Sequence, residues 1–174
     1  MALAVCLLFD PDTEHALRRL WDRLEDLGIP TLRTHTHRRH VPHLSYTVLR
    51  TFVVGEVAAA VERLPDGGPM VLHLDALGSF RRGRIWLAPA PTEDLLHRQR
   101  RVVDAVVGTG ADLHRNYRPG SWTPHCTLSP RTRLTDLPRL AAAIYDVLPV
   151  DAVVDAAALV DSTTGERYAL RIIP

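Results

Sequence analysis

Two short strings, 82 residues apart, hold the side chains with the clearest chemical potential: His43-Leu44-Ser45-Tyr46 and His125-Cys126-Thr127-Leu128. Each is a histidine followed two places later by a hydroxyl residue, and each follows a proline, Pro42 or Pro124. On a strand, residues i and i+2 point to one face, so each string sets an imidazole beside a hydroxyl. The alternate residues, Leu44 and Tyr46 or Cys126 and Leu128, then turn inward. Histidine titrates near neutrality and can take or give a proton. A hydroxyl can donate to developing negative charge. Two such pairs facing each other would give a base, an acid and two donors around one reacting centre.

The elements that must position them follow from periodicity and turn chemistry. Leu3–Phe9 reads as a buried strand. Asp10-Pro11 is an N-cap followed by proline at the first helical position, and Leu17, Leu20, Leu24 and Leu27 mark a helix closing at Gly28. An Arg/His/Thr stretch, Thr31 to His40, leads into the first motif strand. Gly55–Leu64 is a short helix, Met70–Phe80 a strand and Arg81-Arg82-Gly83 a turn. The order then repeats: strand Arg84–Ala88, helix Thr92–Val107, loop Gly108–Pro119, motif strand Trp122–Leu128 and helix Leu137–Leu148. Strands Ala152–Val160 and Arg167–Ile173 follow, joined at Thr164-Gly165. The reading is a duplicated α+β unit with pseudo-two-fold symmetry. The 174 residues form a single domain whose lobes come from repeats at about 1–80 and 84–174, with mainly antiparallel sheets lining a central groove and helices outside.

Composition removes several classes of function. The formal net charge is +1, which argues against sequence-blind duplex binding through many phosphates. All 21 basic residues are arginine, so a P-loop lysine, a Schiff-base lysine and a lysine-adenylate ligase are excluded. Cys6 and Cys126 form no Cys-x-x-Cys pattern and read as buried thiols of a reducing compartment. No apolar run reaches transmembrane length and Met1 to Phe9 lacks a basic leader, so the expectation is a cytoplasmic protein.

The matched pairs, His43-x-Ser45 and His125-x-Thr127, resemble the 2H phosphoesterase superfamily, and within it the bacterial 2′-5′ RNA ligase-like proteins, also called RNA 2′,3′-cyclic phosphodiesterases. Length, motif separation and element order extend the resemblance over nearly the whole chain. It implies a bilobal α+β fold and metal-independent chemistry on 2′,3′-cyclic phosphates or 2′-5′ linkages, without a cofactor. It implies His43, Ser45, His125 and Thr127 as catalytic residues. Here the first hydroxyl is Ser where the family commonly has Thr, and Ser129-Pro130 intervenes before Arg131. Opening a cyclic phosphate needs a base for water, an acid for the departing ribose oxygen and donors for the non-bridging oxygens. His125 is assigned as base, His43 as acid, and Ser45 and Thr127 as donors. Reversal of the same steps would give weak, equilibrium-limited 2′-5′ ligation.

Around these, Arg131, Arg118 and Arg115 flank the second motif as phosphate ligands, since guanidinium forks match phosphate oxygens. Tyr117 and Trp122 lie on the approach to His125, where a base can stack. Tyr46 is added as a substrate contact, although the alternation turns it inward. Trp21 and Trp86 read as core. Arg81, Arg82 and Arg84, like Arg98, Arg100 and Arg101, are either an exposed charged face or RNA backbone contacts. His35, His37 and His40 match no zinc spacing and read as loop histidines beside a phosphate site, with His37, Arg38 and Arg39 available to an anion. The expected partner is RNA ending in a 2′,3′-cyclic phosphate, or a small cyclic nucleotide such as ADP-ribose cyclic phosphate or a signalling dinucleotide. A non-catalytic RNA-end binding module and a metalloenzyme built on the histidine run are the competing classes. A monomer is expected, because two lobes can complete one site.

Overall fold

A proline after an aspartate starts the first helix as its sequence dictates. Asp10 accepts a hydrogen bond from the Thr13 amide at 2.9 Å, and α1 runs Pro11–Asp26. Leu17, Leu20, Trp21 and Leu24 form its buried stripe, and Gly28, at φ 74°, follows its end. Thr92 caps α3, Glu93–Val107, in the same way, accepting from the Leu95 amide at 3.2 Å. The computed structural model describes residues 2–174. Among these, the other helices are α2, Val54–Val61, and α4, Leu137–Tyr145. The strands are β1 Leu3–Phe9, β2 His43–Leu49, β3 Met70–Phe80, β4 Arg84–Pro89, β5 Cys126–Ser129, β6 Val150–Asp161 and β7 Arg167–Ala169. The second motif strand is shorter than its pattern suggests. Pro124 has no amide hydrogen to give to a ladder, and β5 begins only at Cys126.

The seven strands are hydrogen-bonded in the order β1-β2-β5-β4-β3-β6-β7, with every pairing antiparallel, and an additional β1–β6 pairing closes six of them into a ring. The duplication is visible in this topology. The unit β1-α1-β2-α2-β3 recurs as β4-α3-β5-α4-β6. Exchanging the units turns β1–β2 into β4–β5 and β1–β6 into β4–β3, while β2–β5 and β3–β6 map onto themselves. The helix pairs α1–α4 and α2–α3 exchange likewise. The third strand of each unit therefore crosses over. β3 hydrogen-bonds through Met70–Leu74 to β6 and through Leu74–Phe80 to β4, whereas β6 continues past β3 to pair with β1.

One apolar cluster runs under the whole ring. It joins Leu3, Val5 and Leu7 of β1, Leu44 and Tyr46 of β2, and Leu128 of β5 to Trp21, Val57, Val102 and Ile144 of the four helices. The opposite parity of the same strands, Ala4 and Cys6, His43 and Ser45, and Thr127, lines a cavity. Period-two alternation thus separates the core from the groove.

Candidate active site

The four motif residues meet in one cavity of about 320 Å³, together with Ala4, Cys6, Arg84, Tyr117 and Val160. Neither histidine is free to rotate. His43 Nδ1 lies 2.7 Å from the carbonyl oxygen of Val41, and His125 Nδ1 lies 2.7 Å from that of Thr123. A carbonyl only accepts, so both rings carry their proton on Nδ1, and Nε2 is the ring nitrogen left for chemistry. The identical offset of two residues repeats the duplication at the level of single atoms. Burial lowers both pKa values, and His125 falls to about 4; its bond to the Thr123 carbonyl works the other way, and His43 and Arg84 lower it further. Both imidazoles are neutral at neutral pH until an anion arrives, which would raise them.

Ser45 is nearly buried and its Oγ lies 3.4 Å from Cys6 Sγ. Burial drives the Cys6 thiol up to about 12, so it stays protonated. Ser45 is opposite Cys6 in the β1–β2 ladder, and Thr127 is opposite Trp86 in the β4–β5 ladder. These are equivalent places in the two units, filled differently. On the Ser45 side stand Ala4 and Cys6; on the Thr127 side stand Arg84 and Trp86. Trp86 and Phe80 form an aromatic wall, their ring centroids 5.9 and 4.9 Å from that of His125. Gly78 makes room for this wall, because a Cβ there would come within 2.1 Å of the Trp86 ring.

Of the residues expected to bind substrate, Tyr117 reaches the cavity. It sits in a short 3-10 turn, Arg115–Tyr117, whose Tyr117 carbonyl accepts from Gln99 Nε2 at 2.8 Å. The buried Gln99 also donates to the Tyr46 carbonyl at 3.2 Å, so one amide ties that turn to β2. Burial raises the Tyr117 phenol to about 12, keeping it a donor. Arg131 lines an adjoining cavity instead. Arg118 is exposed and lines neither. Tyr46 and Trp122 are not brought to the groove. Tyr46 is fully buried with its hydroxyl toward Met70, and Trp122 donates Nε1–H to the Ser45 carbonyl at 3.1 Å and lines a separate hollow with Leu96 and Arg100. Trp122 holds the backbone of the first motif from behind. Phe80 and Trp86 are neighbours of His125 that local sequence does not single out, and of the two alternatives for the turn arginines the structure brings Arg84 to the cavity.

His35, Thr36 and His40 cover the His43 end of the cavity. The His37 and His40 rings are 4.1 Å apart, and Thr36 and Arg38 adopt φ of 45° and 58°. Among the described residues, no group of three or more His, Cys, Asp or Glu side chains is placed to hold a metal ion, and no helix is long and apolar enough to cross a membrane.

The model of the 2′-5′ RNA ligase superfamily matches residues 11–166, a span that includes all four motif residues. The chain belongs to this superfamily. Membership in these 2H phosphoesterases supports a phosphodiesterase-type enzyme. The superfamily fold is seen also in solved structures similar to the chain. A crystal structure described as a phosphoesterase aligns with TM-score 0.60 and 16% identity over 97% of both chains. Escherichia coli LigT complexed with 3′-AMP aligns with TM-score 0.62 and 14% identity, again over 97% of each. The phosphodiesterase domain of MHV ns2 aligns with TM-score 0.53 and 16% identity, over 75% of this chain and 84% of that one. Comparison with curated protein sequences finds no match.

Proposed function

We propose that the protein opens 2′,3′-cyclic phosphates at RNA ends by two-histidine general acid–base catalysis without a metal ion. The observation that carries this reading is the matched tethering of His43 and His125, which fixes both tautomers and leaves Nε2 free on two rings of one cavity. In-line displacement at phosphorus places the entering and leaving oxygens on opposite sides, and one histidine at the start of β2 with another just before β5 suits that demand. Water attacks phosphorus as His125 Nε2 takes its proton. The bond from phosphorus to one ribose oxygen breaks, and His43, protonated on binding the anion, gives that oxygen its proton. Ser45 Oγ and Thr127 Oγ1 donate to the non-bridging oxygens. The 3′-AMP bound to LigT, a relative in fold, is the kind of nucleoside phosphate such a reaction releases. With a ribose 5′-hydroxyl attacking phosphorus in place of water and the 3′ oxygen leaving, the same residues give weak 2′-5′ ligation, and the reverse of that step returns the cyclic phosphate and the free hydroxyl.

The test is phosphorus NMR of an oligoribonucleotide with a 2′,3′-cyclic phosphate end, incubated with the protein in EDTA. Ring opening to a monoester is expected, and the product identifies the ribose oxygen that leaves. An unchanged spectrum with folded protein would reject the reading. Opening that requires an added divalent ion would reject its metal-free form.

A further inference from the structure

Beside the histidine cavity lie two more, of about 520 and 1060 Å³, the three sharing Arg84. The largest is lined by Arg81, Arg82, Arg84, Arg115 and Arg131, with Phe80, Asn116 and Pro130. Among the described residues, no Asp or Glu lines any of the three. Elsewhere arginines are paired, Arg18 with Glu14, Arg98 with Asp94 and Arg171 with Glu62. Among the described residues, none of these five forms an ion pair.

The five do not gather by chance of a flexible surface. Arg81, Arg82 and Arg84 sit on the tight β3–β4 turn, where Arg82 holds φ 71° and Gly83 φ 74°. The Thr132 amide donates to the Gly83 carbonyl at 2.7 Å, bringing the loop with Arg131 against that turn. Thr132 Oγ1 in turn donates to Ser129 Oγ at 2.9 Å, and Ser129 Oγ donates to the Pro30 carbonyl at 2.6 Å. Arg115 is brought in by the His114 amide, which donates to the Val48 carbonyl at 2.8 Å. Backbone clamps therefore hold five like charges on one hollow, a repulsive arrangement that a bound polyanion relieves.

We infer that the arginine-lined cavity holds further phosphates of the substrate, on the 5′ side of the reacting nucleotide, so that the enzyme prefers single-stranded oligoribonucleotides to nucleoside cyclic monophosphates. This inference rests on the RNA-end reading given above. The 3′ end of the strand is the cyclic phosphate at the histidines, so the chain can continue only in the 5′ direction. Arg84, which borders all three cavities, stands where the reacting nucleotide gives way to its neighbour. The hollow beyond it is about three times the size of the histidine cavity, which leaves room for more than one nucleotide. Planar guanidinium forks suit the oxygens of each phosphate.

The experiment compares three substrates: adenosine 2′,3′-cyclic monophosphate, the same nucleotide carrying a 5′-diphosphate, and a tetraribonucleotide ending in a 2′,3′-cyclic phosphate. The tetranucleotide is expected to show at least ~10-fold higher kcat/KM than the mononucleotide at low salt, with the advantage shrinking between about 50 and 200 mM. The double variant Arg82→Ala/Arg131→Ala should lower kcat/KM at least ~10-fold more on the tetranucleotide than on the mononucleotide. Its log–log salt slope should flatten by about 0.7 for each phosphate that arginine no longer neutralises. Equal kcat/KM on all substrates, or equal losses in the variant, would overturn the inference while leaving the phosphodiesterase intact. A 5′-diphosphorylated nucleotide that matches the tetranucleotide would also overturn it, assigning the arginines to a small molecule's pyrophosphate. Turnover of none of the three by folded protein would overturn the RNA-end reading, and this inference with it.

Discussion

The Thr132 amide donates to the Gly83 carbonyl, and that carbonyl belongs to a residue with no room for a side chain: a Cβ on Gly83 would stand 2.0 Å from the Thr132 oxygen. With φ at 74° as well, position 83 has both a steric and a conformational reason to be glycine. Gly83→Ala is expected to cost at least ~1 kcal/mol, lowering Tm by about 2–4 °C or more in a chain of this size. A thermal melt reads this directly, and an unchanged Tm would mean that the turn and the Arg131 loop are not clamped as described.

His43→Ala and His125→Ala should each lower turnover of the cyclic phosphate at least ~100-fold, the usual scale for a lost general acid or base. Circular dichroism must show folded protein, since both rings also anchor their own backbones through Nδ1. Near-normal turnover by either variant would remove that ring from the proton transfers.

The pH profile follows from the direction of the two shifts. The productive enzyme has one neutral and one protonated imidazole. Both free-enzyme pKa values lie below 6.5, with His125 near 4. The singly protonated form is therefore most abundant on the acid side of 6.5 and is depleted as pH rises. The kcat/KM profile should peak below pH 6.5 and fall toward alkaline pH, while kcat, measured with the anion bound, should peak at higher pH. A kcat/KM maximum above pH 7 would contradict the burial of these rings.

Thr127→Ala should cost about 100-fold in kcat, as removal of an oxyanion donor does, and Thr127→Ser should recover most of it because the hydroxyl remains. If Ser and Ala at position 127 are equally impaired, the methyl group's packing matters and the hydroxyl does not. Ser45→Ala should behave like Thr127→Ala. The Cys6 thiol, 3.4 Å from Ser45 Oγ, is too weak a donor to replace it as an anion ligand.

His40 offers a test on stability. Burial first, then the neighbouring His37, His43 and His35, lower its pKa to about 4. Its folded pKa is thus below its unfolded value, so the unfolded chain binds more protons between pH 6.5 and about 4, and stability is lost as pH falls through that window. His40→Asn should show a smaller drop in Tm across the same window than the parent protein. An identical drop would place the acid sensitivity elsewhere, for example on His43 and His125, which burial also holds below 6.5.

His43 and Ser45 are readable in the sequence because i and i+2 on a strand share a face, whereas His125 stands one residue before β5 and is marked by its match to the first string. Helix starts are readable for a similarly local reason: Asp10 and Thr92 cap the helices they precede. What lies beyond reach is set by register between distant segments. Trp86 reads as core until β4 is known to pair with β5, which puts it across from Thr127 and beside His125. Arg84 is legible only as one of three turn arginines with two possible roles, and its place on the cavity comes from the fold. Trp122 shows the converse error. Its place in an expected strand brings it near His125, whereas the chain is irregular there and sends the indole behind Ser45. Tyr46 follows the alternation that pairs it with Leu44 in the core, and proximity to Ser45 in sequence says nothing about the groove.

The exchange of third strands between the two units has a consequence for how the enzyme comes into being. β1 hydrogen-bonds to β2 and to β6, so the earliest strand of the chain waits for nearly the last before the ring can close. Such distant pairings make for slow folding. They also mean that a partly synthesised chain ending before residue 150 carries both histidine motifs yet lacks a wall of the groove between them. Under the proposed function, a catalyst that acts on RNA is thus withheld from its substrate until translation has passed the strand that completes it.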